Sequence, residues 1–220
     1  MIKVNCKDGN FQAMKYSVTQ ALWKDVVSTN PSKLIGDEHP VDSVSWIDCV
    51  LFANIFSRSR GLQEVYELPS SESLGIHQDI SIGMVYPNED FVIYLAKCIK
   101  VNHRANGYRL PSETEWRQAA MGGENHDFSG GNDLEKFAWY KENSEGITHP
   151  VGMKSPNALG FCDMSGNVYE WCFEWEDESQ VKCLGGGYNS PEFLCEVWSK
   201  DWFVPSSRER YIGFRLFKSC

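Results

Sequence analysis

Four positions in one short loop could converge on a cation. Asp163 and Glu170 supply carboxylates, and Gly166 and Val168 supply backbone carbonyls. Hard oxygen donors on a flexible loop are what Ca²⁺ prefers. Spacing alone favours a turn whose acids face solvent or pair with arginine. The eight cysteines (Cys6, Cys49, Cys98, Cys162, Cys172, Cys183, Cys195 and Cys220) form no C-x-x-C pair, and none has a histidine at zinc-finger spacing. The five histidines, His39, His77, His103, His126 and His149, are scattered along the chain. Nucleophile or soft-metal chemistry therefore has few places to reside.

A second group of interest lies near the C-terminal end. Tyr188, Trp198, Trp202, Phe203 and Tyr211 are interleaved with Asn189, Ser190, Glu192, Lys200, Arg208 and Arg210. Tryptophan, tyrosine and arginine are the usual anchors of protein interfaces. Part of this set must also serve the core: Trp198 is expected inside, and Trp202, Phe203 and Tyr211 partly exposed.

Bulk composition narrows the possible partners. The net charge is −9 and no Lys/Arg-rich run occurs, which argues against nucleic-acid binding. No stretch approaches the roughly 20 apolar residues of a membrane helix. The N-terminus from Met1 to Lys7 lacks the apolar core of a signal peptide. As written the chain reads as cytoplasmic with free thiols; trimmed of a signal, it would be secreted or surface-anchored. Eight Trp, nine Tyr and twelve Phe are more than a small core needs, so some are expected at the surface.

Three helices must position these groups. One runs from about Thr19 to Val27, with Ser17 or Thr19 as its cap. The second begins at Ser45, where Ser45 and Asp48 stand like a capping box with Asp in place of Glu/Gln; Arg60-Gly61 ends it. The third begins at Ser112, boxed by Glu115 and stopped by Gly122-Gly123. Elsewhere Gly, Pro, Asn and Ser punctuate short apolar pieces, which points to long structured loops on a small scaffold. Residues 66–100 read as an insertion, with Ile80, Ile82, Val85 and Phe91–Tyr94 suggesting a strand or hairpin. The expectation is one α+β domain over 1–220 with little regular structure.

Several blocks, in order, resemble the formylglycine-generating enzyme or sulfatase-modifying-factor family, a branch of the C-type lectin fold. They include Tyr16 to Trp23, Val44-Ser45-Trp46, Gly107-Tyr108-Arg109-Leu110-Pro111-Ser112-Glu113-Thr114-Glu115-Trp116, His149-Pro150-Val151-Gly152, Gly160 to Trp171, Gly185-Gly186-Gly187-Tyr188 and Gly213-Phe214-Arg215. The resemblance implies a structural calcium loop at Asp163, Gly166, Val168 and Glu170. It also implies copper held by two cysteine thiolates following the Gly-Gly-Ser-Tyr-like block. Here Cys195 keeps the second of those positions, Ser190 stands at the first, and Gly187 replaces the block's serine. A hydroxyl is a poor ligand for soft Cu(I), so copper is not expected. The related three-histidine iron site has no counterpart in the scattered histidines.

The expected function is accordingly a noncatalytic module that binds a protein or peptide through the 188–211 face. An oxidoreductase acting on protein cysteine through Cys195, alone or with Cys183, is the first alternative. A docking subunit of a larger assembly, or a retroelement-diversified binding protein, is the second. Adenine-directed diversification cannot readily produce Trp198, Lys200, Trp202 or Glu209, which favours a fixed relative.

Overall fold

The computed structural model describes residues 1–6, 9–76 and 79–220; His77 lies outside them. In chain order the elements are β1 (Ile2–Val4), β2 (Phe11–Ala13), α1 (Gln20–Val27), α2 (Trp46–Ser59), β3 (Tyr66–Glu67), α3 (Glu89–Cys98), β4 (Lys100–Val101), α4 (Glu113–Met121), α5 (Leu134–Phe137), β5 (Tyr169–Trp175), β6 (Val181–Leu184), β7 (Lys200–Phe203), β8 (Ile212–Gly213) and β9 (Phe217–Ser219). No helix among them is long and apolar enough to cross a membrane.

Local chemistry sets the helix starts. Thr19 caps α1 by accepting from the Leu22 amide at 3.3 Å. At α2, Ser45 Oγ accepts from the Asp48 amide at 3.1 Å, and Asp48 Oδ2 accepts from the Ser45 amide at 2.9 Å. The shorter aspartate therefore closes the box as glutamate would. Ser112 and Glu115 close the same box at α4 at 3.1 and 3.0 Å. That helix stops at Gly122, whose φ of 64° is the left-handed cap glycine favours. Glu115 also takes a two-pronged pair from Arg109, both contacts at 2.6 Å, so one carboxylate fixes the helix entry and the preceding strand-like segment.

The expected strand or hairpin over 66–100 is corrected. Phe91, Val92, Ile93 and Tyr94 are helical, inside α3. Asn88 caps the helix by accepting from the Phe91 amide at 2.8 Å, and Glu89 and Asp90 occupy its first turn, where acids suit the helix dipole. Ile80, Ile82 and Val85 belong to irregular backbone before the helix. Among the described residues of this stretch, only the flanking two-residue strands β3 and β4 pair, antiparallel.

Three sheets carry the remainder: β1-β2-β9, β3-β4 and β7-β6-β5-β8. The last is antiparallel except where β5 meets β8 in parallel, with Tyr169 opposite Ile212 and Glu170 opposite Gly213. The main core lies between α1, α2 and this sheet, with Trp23 stacked on Phe52 at 4.9 Å and Phe214 edge-on to Phe52 at 5.3 Å. A second cluster under α4 gathers Phe11, Trp116, Phe161 and Phe217. A third, small cluster contains Phe128, Leu134, Ala138, Tyr140 and Cys195.

Candidate functional site

The parallel β5–β8 pairing places Arg215, two residues beyond Gly213, against Glu170. Both are buried. Arg215 Nε lies 3.1 and 3.0 Å from the two Glu170 oxygens, and Nη2 lies 2.8 Å from Oε1. Ser17 Oγ donates to Oε1 at 2.8 Å and Trp116 Nε1 to Oε2 at 2.7 Å. The remaining guanidinium hydrogens go to the carbonyls of Met14, Lys15 and Cys162. The Glu170 carboxylate thus has a full complement of donors within the protein, the arginine-paired arrangement that spacing had left open.

Asp163 is different. It is buried at φ 58°, its Oδ2 accepts from the Gly152 amide at 2.7 Å, and its Oδ1 has no partner. Burial pushes its carboxyl up to about 6, with the Gly152 amide and Arg215 pulling the other way. Gly166, at φ 77°, turns the loop where a Cβ would lie 2.2 Å from the Trp139 carbonyl oxygen. Val168 is buried just before β5. Of the expected calcium ligands, one carboxylate offers an unengaged oxygen and the other is committed to arginine. The set does not fit a calcium cage that needs both acids.

Ser190 and Cys195 are both buried. Ser190 closes a turn: its hydroxyl accepts from the Gly187 amide at 2.9 Å while its own amide donates to the Gly187 carbonyl at 2.9 Å. Its placement on a binding surface is corrected accordingly. A single turn of 3-10 helix, Glu192–Cys195, then carries the Cys195 thiol inward. A Cβ on Gly186 would sit 2.7 Å from that sulfur, so the glycine is what lets the thiol pack. Burial, with Glu142 and Glu192 nearby, pushes the thiol up to about 12. Cys183 lies in the main core on β6, where burial and the neighbouring Cys172 and Cys49 raise it well above the usual thiol range. The residues present do not fit a two-thiolate copper site. Cys49, Cys98, Cys162, Cys172, Cys183, Cys195 and Cys220 are all free thiols.

The 188–211 stretch divides into three environments. Trp198, expected in the core, is 51% exposed, Trp202 is 42% exposed, and Phe193, which the sequence did not single out, is 60% exposed. The reason for Trp198 lies beneath it: the Arg117 guanidinium stacks 5.1 Å from its ring and donates to its carbonyl at 2.9 Å. Arg117 pairs with Glu113 at 2.8 Å, and Glu113 with Lys182 at 2.7 Å. Lys182 stands directly opposite Trp202 across β6–β7, which puts their side chains on one face. Two tryptophans therefore flank one ion-pair network. Lys200 joins its edge through Glu176 at 2.8 Å. Asn189 and Glu192 are exposed beside the 3-10 turn.

Phe203 and Tyr211 are partly buried and group with Tyr169, centroids 6.1 to 6.2 Å apart. Arg208 is anchored, not free: it pairs with the Asp48 carboxylate, which also accepts from the Gly83 amide at 2.8 Å. Tyr188 and Arg210 line a separate small pocket with Lys33, Leu34, Asp42 and Ile147.

A short-stranded scaffold with capped helices, bearing long loops pinned by Glu170, Arg215 and Asn167, defines a sulfatase-modifying-factor-type domain of C-type lectin fold. The sequence matches the Sulfatase-modifying factor enzyme 1-like domain family over residues 4–220, and the chain belongs to that family. It is 32% identical to the chaperone protein LppX of Paenibacillus barcinonensis, over 96% of this chain and 80% of that protein. It is 34% identical to the formylglycine-generating enzyme of Thermomonospora curvata, over 46% of this chain and 31% of that enzyme. Treponema denticola variable protein 1 superposes with a TM-score of 0.85 at 29% identity, covering 96% of this chain and 85% of the other.

Proposed function

We propose that this chain is a noncatalytic recognition domain that binds another protein through the surface around Phe193, Trp198 and Trp202. The observation that carries this reading is the pair of half-exposed tryptophans flanking the Arg117–Glu113–Lys182 network. Large amphipathic rings around a preorganised charged centre are what hot spots of interfaces are made of. The relative LppX is a chaperone protein, which favours a polypeptide as the ligand class. The inward-packed Cys195 thiol and the turn-closing Ser190 hydroxyl weigh against oxidation of a substrate cysteine.

The test is surface plasmon resonance against immobilised test proteins, native and chemically unfolded. Wild-type protein is expected to bind, and the triple variant Phe193→Ser, Trp198→Ser, Trp202→Ser to lose at least about tenfold in affinity. Equal binding by the triple variant removes this surface from consideration. Turnover of a cysteine-containing peptide in the presence of Cu(I) overturns the noncatalytic assignment.

A further inference from the structure

Asp42 and Arg210 flank the same pocket, and neither forms an ion pair with any described residue. The pocket has a volume of about 90 Å³. Asp42 is 2% exposed and lies directly after the Pro40-Val41 segment; its Oδ1 accepts from Ser43 Oγ at 2.8 Å. Arg210 and Lys33, both exposed, also line it. Leu34 at 38% and Ile147 at 40% exposure, with the half-buried Tyr188, supply its apolar lining.

A buried carboxylate without a counter-ion is costly, and such a group ordinarily finds a cation. Here the Arg210 guanidinium eases the charge without forming an ion pair with it. Burial holds the Asp42 carboxyl up to about 6, with hydrogen bonds from Ser43, the Lys33 amide and Ser32, and the charge of Arg210, pulling it down. The group is therefore ionised at neutral pH and gains from any ammonium brought against it. Arg210 in turn presents a planar fork suited to a carboxylate.

We infer that this pocket is a binding site for a free α-amino acid with an apolar side chain, its ammonium on Asp42, its carboxylate on Arg210, and its side chain against Leu34 and Ile147. The site shares no residue with the Phe193–Trp198–Trp202 surface, so either can fail without the other.

Calorimetry on the full chain at pH 7.5 tests it with four ligands. L-leucine is expected to bind. Leucinamide lacks the carboxylate, 4-methylpentanoate lacks the ammonium, and leucyl-glycine moves the two charges apart; each is expected to bind at least about tenfold more weakly. Arg210→Ala, at an exposed position that leaves the fold unchanged, is expected to weaken leucine and 4-methylpentanoate but not leucinamide. Asp42→Asn is expected to weaken leucine and leucinamide but not 4-methylpentanoate. Absence of leucine binding, equal binding of the single-charge analogues or of leucyl-glycine, or an Arg210→Ala protein that binds leucine like wild type overturns the assignment.

Discussion

Arg215 meets Glu170 with all five guanidinium hydrogens engaged, three contacts on the carboxylate at 2.8 to 3.1 Å and three more on loop carbonyls. One buried pair therefore ties the segment at Met14 and Lys15, the loop at Cys162, and strands β5 and β8. Removing one partner leaves an uncompensated buried charge, which costs about 3–5 kcal/mol. Arg215→Met and Glu170→Gln are each expected to lower stability by that order in urea titrations. The double variant is expected to recover part of the loss; strictly additive losses would show that the pair is not coupled.

Chelation follows from the same geometry. Because Glu170 is held by arginine and Asp163 offers one free oxygen, the melting temperature is expected to be the same in EDTA and in millimolar Ca²⁺. A rise with Ca²⁺ that disappears in Asp163→Ala would restore the calcium loop suggested by the spacing of Asp163, Gly166, Val168 and Glu170.

Stability is expected to depend on pH through Asp42 and Asp163, both pushed up to about 6 from 3.8 by burial. A raised acid makes the folded state bind protons more readily than the unfolded one. Its contribution is fully present below about 3.8 and is lost as pH rises through about 6. Each group is worth on the order of 1–3 kcal/mol. His39, lowered by burial and by His149, opposes this below its usual range, but it is one half-buried group. The melting temperature is expected to rise from pH 7.5 to pH 5. Asp163→Asn, at a φ asparagine adopts easily, is expected to raise it at pH 7.5 and flatten the profile. An unchanged slope in that variant contradicts the assignment.

Thiol accessibility gives an independent measurement. Cys220 is exposed, whereas Cys183 and Cys195 are buried with raised thiol pKa values. Native alkylation at pH 8, mapped by mass spectrometry, is expected to label Cys220 and leave Cys195 and Cys183 unlabelled until denaturant is added. Labelling of Cys195 at the Cys220 rate would falsify the inward-packed arrangement.

The helix caps were legible because each is local: Thr19, Ser45 and Ser112 act within three residues of themselves. Phe91–Tyr94 was misread because a short apolar run with β-branched residues has no period of its own. The decisive signal, Asn88 followed by two acids, stood outside the run. Trp198 was misplaced because its exposure depends on Arg117, eighty-one residues earlier in the chain. Phe193 shows the same limit: its exposure follows from the 3-10 turn that sends Cys195 inward. The Asp42 pocket had no contiguous block to betray it, because it draws on five separate stretches of chain.

Asp48 caps α2, receives the Gly83 amide and clamps Arg208 at once. Surface positions 189, 192, 193 and 202 can therefore drift during evolution at little cost to the framework. Position 208 cannot: any replacement there strands a buried acid and loosens its hold on the loop at Gly83. A designer seeking new specificities should randomise around that arginine and leave it in place.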